Sequence, residues 1–453
     1  MKKKSHKEKK SLPKHMECIN VDAAGIDVGS RSLFVAVPAD RDEKCVREFP
    51  TFTRDLQELI VWLKKCKIKS VVMESTGVYW IPIYELLETS GFEVLLANAR
   101  HVKNVPGRKS DVMDCQWLQK LHSFGLLSGS FRPNDDICVL RGFMRQRDML
   151  VRNAAKNIQH MQKALMQMNI QLHNVLSDIT GETGMAIIRS IIAGERDPCV
   201  LARHRDRRCK NSTLIIEKSL EGNYRKEHVF ALGQALQLYD FYQQKIQECD
   251  QEIKNLLGHH NPEDSEEEKS VKKVRPKRRK NQFHFDAQAS LIEMTGVDLT
   301  CIDGLNTHTV LRLISEVGVD MSRWKTAKHF GSWLSLCPGS KISGGKRLSS
   351  KTVSSSNRAA EIFRLTAYAL SRSHSALGAF YRRKKAQIGS PKAITATAYK
   401  IARMFYMLLK DGKNYKDPGA TYYEEKYQEQ MIKSLARKAE KLGMTLIKKE
   451  VEV

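Results

Sequence analysis

Two short apolar runs near the N-terminus each carry one carboxylate where a strand would bury it. Asp27 sits in AGIDV, and Glu74 follows the apolar stretch of KSVVMES. A lone buried carboxylate costs several kcal/mol unless it is paired or bound to a cation. Any fold that accepts both acids must bring them to something positive. The flanking pattern sets the frame: AGIDV and SLFVAVP read as two strands across a tight turn at Gly29-Ser30, and REFPTF as a third strand completing a meander. DLQELIVWLKKC has the spacing of an amphipathic helix, and KSVVMES that of a buried strand. YWIPIYELLETSG predicts a helix closed by Gly91, and EVLLAN a further strand.

Three antiparallel strands followed by alternating helices and strands predict an α/β sheet of the ribonuclease-H-like (RuvC-like) kind over residues 19–137. The next helix adds two more acids. In SDVMDCQWLQKLHSFG, Ser110 can cap the helix, and Asp111 and Asp114 stand three apart in its first turn, on one face. Asp27, Glu74, Asp111 and Asp114 make chemical sense as one constellation around hard divalent cations, Mg²⁺ or Mn²⁺, which favour oxygen ligands. Two such ions about 4 Å apart can stabilise both oxygens of a phosphoryl displacement. Taken singly, any of the four could instead be a helix cap or a surface charge, Asp114 above all. GIDVGS also suits the phosphate loop of an actin-like or sugar-kinase ATPase, but the second glycine-rich loop such enzymes need is missing from the sequence.

Charge narrows the partner. Lys and Arg number 76 against 51 Asp and Glu, a net +25 with a pI near 9.6. That excess points to a polyanion, most often nucleic acid. No run of about 20 apolar residues is present to span a membrane. Ten cysteines without a CxxC pair indicate neither a zinc site nor a disulfide framework, and suit a reducing cytoplasm.

Beyond the sheet the texture becomes helical. Residues 1–18 read as a basic tail, 138–258 as long helices, 259–282 as a charged linker, 283–415 as a second, mostly helical domain, and 416–453 as a basic helical tail. Leu232, Ala235, Tyr239, Tyr242, Ile246, Cys249, Ile253 and Leu256 form a heptad seam, which suits either an intramolecular helical hairpin or a subunit-pairing coiled coil. IDGLNTHTVLRLISEVG reads as a helix-hairpin-helix turning at Gly304 and closed by Gly318, a motif that offers backbone N–H groups to DNA phosphate.

SLCPGSKISGGKRLSSKT is the last informative stretch. Gly344 and Gly345 allow close backbone approach, while Lys346, Arg347 and Lys351 can neutralise phosphates. A flexible phosphate-binding loop is one reading. In the other, Ser343 is a nucleophile that attacks a DNA phosphodiester.

GIDVGSRSLFVAV, VVMESTGVYWIPIYELLE, KSDVMDCQWLQKL and CPGSKISGGKRLSSKT…NRAA occur in this order. Together they resemble the IS110 family of insertion-sequence transposases, over roughly residues 23–415. The resemblance implies a RuvC-like domain with a DEDD tetrad on Asp27, Glu74, Asp111 and Asp114, a helical coiled-coil middle, and a mainly α transposase domain with a catalytic serine at Ser343. Many relatives carry two adjacent hydroxyl residues before the glycines. Here the pair is Ile342-Ser343, which makes Ser340 a second candidate, with Ser349 and Ser350 behind it. The resemblance further implies a site-specific recombinase acting on donor and target DNA. It implies guidance by a structured noncoding RNA and a place in the bacterial or archaeal cytoplasm at the nucleoid, with no membrane expected. Because strand exchange needs several cuts and the heptad seam offers a pairing surface, a homo-oligomer (dimer or tetramer) is expected. A RuvC-like nuclease using water and a DNA-binding architectural protein are the alternatives.

Overall fold

The computed structural model describes residues 18–75, 77–97, 110–258, 281–412 and 415–447. The basic N-terminal tail up to residue 17 and the charged linker over 259–280 lie outside them. The chain divides into two compact units, Met1–Arg132 and Pro133–Val453. The break falls a few residues before the expected boundary at 137. The middle helices and the C-terminal region, expected as separate domains, belong to one unit.

The first unit is a five-stranded mixed sheet with helices on both faces. Strands β1 (Ala23–Val28), β2 (Ser32–Ala36) and β3 (Val46–Pro50) form an antiparallel meander, and β1 pairs parallel with β4 (Ser70–Glu74), which pairs parallel with β5 (Glu93–Ala97). The order across the sheet is β3-β2-β1-β4-β5. The tight turn between β1 and β2 is closed by Gly29 N–H donating to Ser32 O at 3.1 Å.

Strand periodicity decides which side chains face which helix. On one face Ala24, Ile26 and Val28 of β1 and Val71 and Met73 of β4 meet Leu56, Leu59, Ile60 and Leu63 of α1 (Thr53–Lys65). Ile83 and Leu87 of α2 (Trp80–Thr89) complete that core. The other face holds Val72 and Ala97 against Leu118 of α3 (Asp111–Ser123). Gly25 and Asp27 alternate with the first set, and Glu74 lies two residues after Val72. Both acidic strand residues therefore belong to the α3 face.

The second unit is built on two long helices, α4 (Asp135–Gln167) and α5 (Lys226–Gly258), which pack along each other. Leu232 and Ala235 are buried in a core with Met161, Ala164 and Leu165, and Ile246 in another with Leu150 and Ala154. Tyr239, Tyr242 and Cys249 pack partly buried against the second of these. The heptad seam is thus occupied within the chain, as an intramolecular helical pair. Fully buried Arg147 and Asp250 tie the pair together, with Nε to Oδ1 at 2.5 Å. His284 joins them through Nδ1 to Asp250 Oδ2 at 2.6 Å, where the chain continues after the linker.

The C-terminal part of this unit is helical. It comprises α6 (Ala287–Thr295), α7 (Thr307–Val317), α8 (Ala327–Trp333), α9 (Arg358–Ala369), α10 (Ala376–Ile388) and α11 (Ser390–Asp411), followed by α12 (Gly419–Lys441), of which no residue is buried. Phe330, Phe363 and Phe405 pack at its centre with ring separations of 5.6 to 6.5 Å, Phe330 and Phe405 stacked and Phe363 edge-on to both. Residues 299–318 differ from the helix-hairpin-helix pattern. A three-residue 3₁₀ turn, Leu299–Cys301, stands in place of the first helix, Gly304 takes φ +88°, and Asn306 caps α7 by accepting from Thr309 N–H at 2.9 Å. Among the described residues no helix is long and apolar enough to cross a membrane.

Candidate functional site

Side-chain chemistry gathers at two places, one in each unit. In the first, the sheet register places Asp27 and Glu74 side by side, since β1 and β4 run parallel with Ile26 opposite Met73. Ser110 starts α3 by accepting a hydrogen bond from Met113 N–H, which sets Asp111 and Asp114 in its first turn. The helix lies almost in contact with β1. A Cβ on Gly25 would sit 2.3 Å from Gln119 N and 2.5 Å from Cys115 O, so only glycine lets the helix backbone come this close. Sequence periodicity does not single out Gly25.

The electrostatics follow from that approach. Burial first, then the charges of Asp111, Asp114 and Glu74, push the Asp27 carboxyl up from the usual carboxylate range to about 6. All three other acids thus act on Asp27. Burial, followed by the Asp27 charge, pushes the Cys115 thiol up to about 12, so it is an inert packing residue rather than a nucleophile. Among the described residues, no three His, Cys, Asp or Glu side chains close on a space for a metal ion. The four carboxylates are neighbours, close enough for the other three to act on Asp27. As donors they fit a hard divalent cation: all are oxygen ligands, and their mutual repulsion is the charge such an ion would neutralise.

The second place is the serine-glycine stretch, which forms a β-hairpin rather than a loop. β6 (Lys341–Ser343) pairs antiparallel with β7 (Lys346–Ser349), with Ser343 opposite Lys346 and Ile342 opposite Arg347. Gly344 and Gly345 form the two-residue turn, at φ +53° and +75°, the left-handed pair that a type I′ turn requires. The ladder continues through Gly339 N–H donating to Lys351 O at 3.0 Å. Ser343, Gly344, Gly345, Lys346, Arg347 and Lys351 are all exposed, as is Ser340. Gly-Gly between two β-capable segments is itself a hairpin signal.

Residues 24–170 match the family model DEDD_Tnp_IS110, described as Transposase, and residues 298–382 match that of the Transposase IS116/IS110/IS902 family. Together they cover about half of the chain, in the order expected. The chain belongs to the IS110 family of transposases. It is accordingly a DNA transposase. The first match takes in all four carboxylates, and the second takes in the whole serine hairpin. The transposase's second long helix and the linker fall between the two. No curated protein matches the chain significantly.

Proposed function

We propose that this transposase is a site-specific recombinase that cuts and rejoins DNA through a serine–DNA ester. In this reading the first unit is RuvC-like, and its DEDD acids hold Mg²⁺ or Mn²⁺. The order of its sheet, with an antiparallel meander continued by two parallel strands, supports that fold. The observation that carries the reading is the geometry of β1, β4 and α3: parallel pairing sets Asp27 beside Glu74, and the close approach of α3 at Gly25 brings Asp111 and Asp114 to the same face of the sheet. Four acids kept this close make sense as a cation site. A bound divalent cation would supply charge stabilisation for a phosphoryl displacement.

Ser343 Oγ attacks phosphorus and forms a new P–O bond. The bond from phosphorus to one sugar oxygen breaks, and that oxygen leaves as a hydroxyl after gaining a proton, while Ser343 loses one. One phosphodiester replaces another, so attack by the freed hydroxyl reverses the step without an external energy source. Lys346 opposite Ser343, with Arg347 and Lys351, supplies positive charge for the phosphate, and Gly344-Gly345 leave room for the backbone to approach it. The net charge of +25 suits a load of donor DNA, target DNA and a structured noncoding guide RNA, carried by a homo-oligomer, dimer or tetramer.

The test is a denaturing gel of DNA incubated with the transposase, guide RNA and Mg²⁺. The expected result is a protein–DNA adduct that survives denaturation and disappears on protease treatment. Ser343→Ala eliminates adduct and cleavage together. Cutting without any adduct would make water the nucleophile and the protein a RuvC-like nuclease. An adduct that persists in Ser343→Ala would move the assignment to Ser340, Ser349 or Ser350.

A further inference from the structure

The serine hairpin carries, besides its cations, apolar side chains that its nucleophile does not need. Ile342 is 65% and Leu348 69% exposed, among the most exposed large apolar residues described. Pairing sets Ser343 with Lys346 on one face and Ile342 with Arg347 on the other. The register shifts at the step from Lys341 to Ile342, so Leu348 is the extra residue of a bulge between Arg347 and Ser349. Bulges bend a ribbon and re-aim a side chain, and this one turns out a leucine that could otherwise have followed the pleat.

Charge identifies the partner. From residue 321 to residue 360 the chain contains eight Lys and Arg and no Asp or Glu. A protein surface pairing with exposed isoleucine and leucine would have to accept Lys341, Lys346, Arg347 and Lys351 without acids in return. DNA accepts both kinds of side chain: phosphates take the cations, and an unstacked base step takes the apolar wedge. The geometry points to Ile342 and Leu348 as a wedge that enters duplex DNA beside the phosphate attacked by Ser343, unstacking a base step there. This rests on the serine reading of the hairpin. It adds that the ribbon deforms its substrate rather than merely docking on phosphate.

The experiment uses the full chain and a duplex from the element end, with 2-aminopurine placed in turn at each base near the cut. Unstacking brightens 2-aminopurine, so wild type should brighten it at one step. Ile342→Ala/Leu348→Ala should lose most of that signal yet bind with affinity within about threefold, since phosphate contacts dominate affinity. Ile342→Met/Leu348→Met should restore the brightening. Lys346→Ala/Arg347→Ala should do the reverse, weakening binding and lowering its salt dependence. Brightening unchanged in the alanine pair overturns the wedge, as does an alanine pair that only lowers self-association in sedimentation. A serine adduct formed without any brightening in wild type defeats the wedge and leaves the serine reading intact. If neither adduct nor brightening is seen, both fail.

Discussion

The acidic face of the sheet and the serine hairpin prepare chemistry by opposite means. The acids stand on packed elements: Asp27 follows fully buried Ile26, Glu74 follows fully buried Met73, and α3 is seated on the sheet at Gly25. Their spacing is set before any ligand arrives. The hairpin has all three residues of β6 exposed, and only its turn and ladder hold its shape. A rigid site can hold a carboxyl where it is costly to charge, as at Asp27, raised first by burial and then by the charges of its neighbours. An exposed ribbon has no such packing beneath β6 to fix its side chains. The difference teaches where substitutions should act: through pre-set positions in one region and, on the proposed function, through contact with DNA in the other.

The largest effects should come from the acids themselves. Asp27→Ala, Glu74→Ala, Asp111→Ala and Asp114→Ala should each reduce cleavage by about a thousandfold or more, in the range of lost transition-state charge stabilisation. DNA binding measured by filter retention should change little, because distributed cations supply most of the affinity. A folded variant with normal cleavage removes that residue from the site. Loss of binding in step with cleavage would erase the contrast between the two regions.

Gly25→Ala sharpens the comparison without touching a carboxylate. The added methyl cannot fit 2.3 Å from Gln119 N, so α3 must lift from β1. Overpacking of this kind costs about 1–3 kcal/mol. Stability in urea should fall by that amount, and Mn²⁺ affinity, read by electron paramagnetic resonance, should fall by about tenfold or more, as a site loosened by an ångström loses its ligand geometry. Lower stability with unchanged metal affinity would make Gly25 a packing residue only.

How much of this was legible follows from what sets each feature. The strands around Asp27 and Glu74 were legible as short apolar runs, whereas their order and the face each acid takes come from the pairing in the packed sheet. The seam from Leu232 to Leu256 displays its period equally well, but a period does not name the partner. Here α4 lies in the same chain, and Leu150, Ala154 and Met161 complete the packing. Gly25 was silent because its role is to be absent from space that another backbone occupies, which only the packed structure reveals. At residues 341–349 the richness in serine, glycine and lysine suggested a loop. Short exposed strands have no apolar alternation to announce them, so only Gly344-Gly345 marked the hairpin.

The smallest effect is the cost of holding Asp27 charged in the fold, and it concerns stability rather than cleavage. The Asp27 carboxyl has an unfolded value near 3.8 and a folded value raised to about 6. At pH below about 4 the group is protonated in both states and contributes no penalty. As pH rises through 6 the folded protein must ionise it against its neighbours, so stability is lost over that window and remains lower at pH 7.5. Asp27→Asn removes the charge and keeps the shape. It should therefore stabilise the metal-free protein at pH 7.5 by about 1–2 kcal/mol, discounted for the group's partial exposure. The gain should vanish near pH 3.5. Adding Mn²⁺ should reverse the order, raising the wild-type melting temperature and leaving that of Asp27→Asn nearly unchanged, because a ligand stabilises only the state that binds it. Equal melting of both proteins at both pH values would mean that charging Asp27 costs nothing in the fold, and the sheet would then be no more prepared for a cation than the hairpin is.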